Sequence, residues 1–131
     1  MIRIVRWTAL AVMVAATSCD SGPKAGEIVA ELVTPQQALG AAMFRVNAIE
    51  TYAIDSVTAA CSGCRAFMSR VSEREVRGVV TGSFSAGPLL RVMVSDRDAR
   101  SSYSVLLLQL AAPTYEIVPL GGSSLTFPAP Q

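Results

Sequence analysis

Cys61 and Cys64, separated only by Ser62 and Gly63, bring two thiols to a spacing that can do chemistry. Such a pair can close a disulfide, form part of a metal site, attach a haem or cycle as a redox couple. Haem attachment requires a histidine directly after the second cysteine, and Arg65 stands there. A structural zinc site takes four ligands, and the chain holds three cysteines and no histidine. A thioredoxin-like couple sits at a helix N-terminus in a βαβ setting, which the residues around 61–64 do not resemble. Arg65 can still lower a thiol pKa, so thiol–disulfide chemistry at Cys61 and Cys64 stays as an alternative to a plain local disulfide.

The missing histidine has wider consequences. It removes the commonest general base, the commonest metal ligand and the usual partner of a serine or cysteine nucleophile. Carboxylate or lysine catalysis survives, but no residue is singled out as catalytic and no cofactor or metal is expected. Asp96 and Asp98, in Asp96-Arg97-Asp98, carry the oxygen ligands that calcium takes. The EF-hand loop pattern around them is absent, and a solvated turn between strands is the preferred reading. Tyr52, Tyr103 and Tyr115 could stack on a sugar if exposed together. Each sits in an alternating pattern that favours packing instead.

The third cysteine belongs to a different context. Arg3 and Arg6 precede the apolar run Trp7–Ala16, which is followed by Thr17, Ser18 and Cys19. The run is shorter than the roughly 20 residues a spanning helix needs, and its basic start and small-residue end describe a cleaved signal peptide. Ala16-Thr17-Ser18-Cys19 resembles the lipobox of bacterial lipoproteins, with Ala16 where that family prefers Leu. The resemblance implies residues 1–18 as signal peptide and Cys19 as the lipidated N-terminus. Trp7, the only tryptophan, would leave with that peptide. The protein is then expected on the cell envelope, facing the periplasm or the exterior. Asp20 resembles an inner-membrane retention signal. An ordinary signal peptide cut nearby, leaving Cys19 a spare thiol, is the rival. In an oxidising compartment, a Cys61–Cys64 disulfide follows as the preferred state, in a loop so short that little chain entropy is removed.

From Cys19 onward nine basic residues face ten acidic ones, so phosphate neutralisation, on which nucleic-acid binding leans, has no support. Residues 19–26 are rich in Ser, Gly, Pro and Lys and read as a flexible tether. Residues 27–131 form one domain, large enough to bury a single core. In Glu27–Val33, Ile28, Ala30 and Leu32 share one face at a period of two, as in a strand. The following segment has two readings. Thr34, Pro35 and Gln37 look like a helix start, with Leu39, Ala42, Met43, Val46 and Ile49 at helical spacing. Gly40 opposes a helix, and Ala42, Phe44 and Val46 also alternate as a strand does.

Thr51–Thr58, Arg65–Val71, Val76–Phe84, Leu89–Ser95, Ser102–Leu110, Thr114–Val118 and Ser124–Phe127 read as further strands. A helix over Ala66–Arg77 is weakened by Gly78 and by β-branched residues. Val105-Leu106-Leu107-Leu108 is continuous and predicts a strand buried on both sides. Turn signals lie at Ser72–Glu75, Ser85–Pro88, Asp96–Arg100, Ala112-Pro113 and Gly121-Gly122.

Three stretches carry a resemblance: Gly26–Pro35, Gly40–Val46 and Arg77–Val94. Their order is similar to that in the cohesin-like β-sandwiches and their carbohydrate-binding relatives, over roughly Gly26–Phe127. The resemblance turns Pro35–Asn47 into loop then strand. It implies an all-β, antiparallel sandwich of jelly-roll type with about eight or nine strands, and a non-catalytic binding or assembly role. Its partners would be a protein or a glycan outside the cytoplasm, with the membrane reached through Cys19 and no nucleic acid involved.

Overall fold

The computed structural model describes residues 22–128. The expected signal peptide and residues 19–21, including Cys19 and Asp20, lie outside the described residues. Nine strands follow in order: β1 (Gly26–Val33), β2 (Leu39–Ala48), β3 (Ile54–Ala59), β4 (Arg65–Ser72), β5 (Glu75–Phe84), β6 (Gly87–Val94), β7 (Tyr103–Ala111), β8 (Ile117–Val118) and β9 (Ser124–Thr126). They form two antiparallel sheets, ordered β3-β6-β1-β9 and β4-β5-β2-β7-β8, which pack as a sandwich. A 3-10 turn at Arg100–Ser102 leads into β7.

Alternation builds the core as expected in the first two strands. Ile28, Ala30 and Leu32 of β1 face Leu39, Ala42, Phe44 and Val46 of β2, all buried. Pro35 ends β1 because it offers no N–H to a ladder, and β2 starts at Leu39. The helical spacing over 34–47 gives way because β2 is central, paired with β5 on one side and β7 on the other. Gly40 has its reason there: a Cβ would meet the Ala112 carbonyl oxygen at 2.7 Å and Pro113 Cα at 2.9 Å. Residues 66–77 are a hairpin, β4 and β5 joined at Glu73-Arg74, not a helix.

Three expectations need correction. The strand expected over Thr114–Val118 shortens to β8 at Ile117–Val118, because Tyr115 lies in a turn at φ 67°. Strand β3 begins at Ile54, three residues later than its composition indicates, because Thr51 lies in a turn at φ 79°. Strand β7 is not buried on both sides. Tyr103, Leu107 and Leu110 enter the core, whereas Leu106 and Leu108 remain 47% and 36% exposed. The outer face of its sheet has no covering layer among the described residues. A bulge at Leu108, where Met43 pairs with Gln109 but Phe44 with Leu107, also shifts the alternation.

The strand directions give the sandwich two distinct ends. Gly26, the start of β1, lies at the end that carries the turns at 49–53, 73–74 and 95–102. The loops 34–38, 60–64 and 85–86, with the turn after β7, lie at the opposite end. The first end is tied by side chains. Ser95 Oγ accepts from the Ala53 N–H at 2.9 Å, and the Tyr103 hydroxyl oxygen accepts from the Asp96 N–H at 3.0 Å.

Candidate functional site

Cys61 and Cys64 form a disulfide in the loop between β3 and β4. Both sulfur residues are half-buried against the rim of the core, Gly63 turns the chain at φ 74°, and Arg65 opens β4. No helix begins there, so the dipole that commonly activates such a thiol is lacking at this position. A four-residue loop closes at most about 2 kcal/mol of chain entropy. Replacing both Cys61 and Cys64 with serine is therefore expected to cost about 2 kcal/mol or less in urea unfolding, with the far-UV spectrum retained. A larger loss would mean that the bridge organises more than its own loop.

The other sequence candidates are not brought together. Asp96 Oδ1 accepts from the backbone N–H groups of Asp98 at 3.1 Å and Lys24 at 3.4 Å, which is a turn-closing role. Among the described residues no group of three or more acidic, cysteine or histidine side chains gathers for a metal. Tyr103 is buried and packs edge-on against Tyr52, with ring centroids 5.7 Å apart. Tyr115 is exposed in a turn at φ 67°, beyond the end of β7. Only Tyr103 of the three lies in a strand, and the three rings form no common platform.

The structure reveals a different feature, the outer face of the five-stranded sheet. Register places Phe67, Val79, Met43 and Gln109 in one row across β4, β5, β2 and β7. Phe67 is 57% and Met43 42% exposed, and Leu106 and Leu108 extend the same surface. With Val79, three of these residues line an open groove of about 450 Å³, at Met43, Phe67 and Leu108. The next row holds Ser69, Arg77, Arg45 and Leu106, and Arg65 stands on the other side of Phe67. Arg77 donates to Glu75 Oε2 at 3.1 Å. The face is thus an apolar strip bordered by guanidinium groups, and contiguous exposed apolar surface of this kind marks interaction sites.

This face escaped the sequence reading, although its signal was there. Met43 and Phe67 occupy the outward positions of their alternating strands, and the Val105–Leu108 run supplies apolar residues to both faces. Strand β4 adds a second feature: none of its eight residues is buried. It forms the open edge of its sheet with no proline or glycine in it, and such edges present unpaired backbone groups.

No protein-family model, no curated protein and no solved structure matches this chain.

Proposed function

We propose that this protein is a lipid-anchored component of the cell envelope whose sandwich is a non-catalytic binding or assembly module. The observation that carries the reading is the apolar, arginine-bordered outer face of β4-β5-β2-β7. A protein partner suits it better than a glycan, because dispersed aliphatic and thioether side chains offer dry contact area and the tyrosines supply no stacking platform. The anchor rests on the lipobox resemblance at Cys19, and the Asp20 signal makes the inner membrane the expected location. The multiply acylated cysteine of that family meets the requirement that stable anchoring takes more than one chain.

Cells supplied with an alkyne-bearing palmitate should label the wild-type protein and leave Cys19→Ala unlabelled and released from the membrane. A photo-crosslinking phenylalanine analogue at Phe67 should yield a protein adduct in intact membranes, and Leu108→Glu in the same chain should abolish it. An unlabelled wild-type chain would overturn the anchoring. Equal adducts from Phe67 and from the remote, exposed Ile49 would overturn the binding face.

A further inference from the structure

The two outer faces of the sandwich differ in sign. On the five-stranded sheet, Arg45, Arg65 and Arg77 surround the apolar strip and Glu75 is the acidic residue among the ladder positions. On the four-stranded sheet, Glu27, Val29, Glu31 and Val33 alternate outward along β1, opposite Met93 and Arg91 of β6. Val33 and Met93 are exposed there, so this second face also offers apolar surface, now with carboxylates. One face of the molecule is therefore a complement, in charge and in apolar character, to the opposite face of another molecule.

We propose that copies of this protein stack face to back, the five-stranded sheet of one against the four-stranded sheet of the next. The inference rests on the binding-module reading and names a second copy as the partner. Such a contact is heterologous, using different patches on the two copies, and it propagates into an open row unless the rotation closes a ring. Pure translation between copies leaves every Gly26 on the same side of the row, so all the N-terminal segments can reach one membrane. The seven chain steps from Cys19 to Gly26 span at most about 25 Å, enough to hold each copy close to the lipid surface. A four-strand footprint about 20 Å long covers on the order of 400 Å² at ladder spacing. That is about half of what each partner buries in a standard stable complex. The contact is accordingly weak between free molecules and is promoted by co-anchoring, which raises effective concentration.

The test uses the full chain in its native membrane. Thr58, outward on β3, and Ser69, outward on β4, lie on the same side of the sandwich, on opposite faces. Treated with a short bismaleimide, Thr58→Cys and Ser69→Cys should each give monomer alone. Co-expressed as separate chains they should give dimer, at least tenfold above either alone. Both substitutions in one chain should give a ladder of dimer, trimer and higher species. Adding Arg45→Glu and Arg77→Glu to the doubly substituted chain should collapse the ladder to monomer, while its melting temperature stays within a few degrees. Dimer from either single variant alone would overturn the proposal in favour of a two-fold contact, for instance through the β4 edge. Absence of any inter-copy product would also overturn it. The Phe67 photo-adduct then separates the two readings: an adduct to a protein of another mass leaves the binding module standing, and no adduct removes both.

Discussion

Phe44→Ala is expected to remove about 3–5 kcal/mol of stability, the usual cost of deleting a fully buried phenylalanine. The side chain is completely buried on β2, the central strand of the five-stranded sheet, where its ring lies over the backbone of Gly78 on β5. Nothing in the surroundings can refill the space easily: Gly78 has no side chain and the neighbours Ala42 and Val46 sit on the same strand. A domain of this size has roughly 5–15 kcal/mol of stability in total, so the variant should stand near its unfolding threshold. Urea unfolding checks this, with the midpoint falling sharply and the slope nearly unchanged. A loss below about 1.5 kcal/mol would show that the core collapses around the vacancy.

Gly78→Ala tests the same contact from the other side. A Cβ at residue 78 would lie 2.8 Å from Phe44 Cζ and would overlap the carbonyl oxygen of Phe67 on β4. Neither neighbour yields cheaply, one being a core ring and the other backbone, so an overpacking cost of about 1–3 kcal/mol is expected. Strand β4 should loosen first, because it buries no side chain and is held to the sandwich mainly through β5. Amide hydrogen exchange should rise across Arg65–Ser72 more than in β1 or β6. Combining Gly78→Ala with Phe44→Leu relieves the ring contact but not the carbonyl contact. The double variant should therefore be more stable than the sum of the single losses predicts, by about 0.5 kcal/mol or more. Strict additivity would place the strain entirely at Phe67.

These two sites also show what was legible in the sequence. The alternation of Ile28, Ala30 and Leu32, and of Ala42, Phe44 and Val46, specifies strands whose buried face is correctly read. The competing helical spacing from Leu39 to Ile49 is equally regular locally, and only pairing with β5 and β7 decides between them. Gly40 and Gly78 argue against helix by propensity, but their actual role is close approach: to the Ala112-Pro113 turn in one case and to Phe44 and Phe67 in the other. No local pattern encodes that. The bulge at Leu108 is likewise a property of the ladder, so four consecutive apolar residues predict a doubly buried strand although two of them face outward. The turn at Thr51 hides behind residues that favour strands.

The candidate site was legible only in part. The short Cys61–Cys64 spacing pointed to a local disulfide, which the structure contains. The outer face of the five-stranded sheet was not foreseen, because single outward apolar residues on β2, β4 and β7 become a surface only once the strand order places them side by side. A composition with nearly balanced charges likewise conceals that Arg45, Arg65 and Arg77 on the one hand and Glu27 and Glu31 on the other are sorted onto opposite faces.

The position of β1 has a mechanical consequence. Strand β1 lies inside the four-stranded sheet, paired with β6 from Gly26 to Leu32 and with β9 from Glu31 to Val33. A pull delivered through the residues preceding Gly26 runs along the strand, while its ladder bonds lie across it. The bonds are then sheared together instead of being opened one after another, as they would be if an edge strand such as β4 were peeled from its end. Traction on the N-terminal side thus meets the part of the fold best arranged to resist it, and unravelling under load should begin elsewhere.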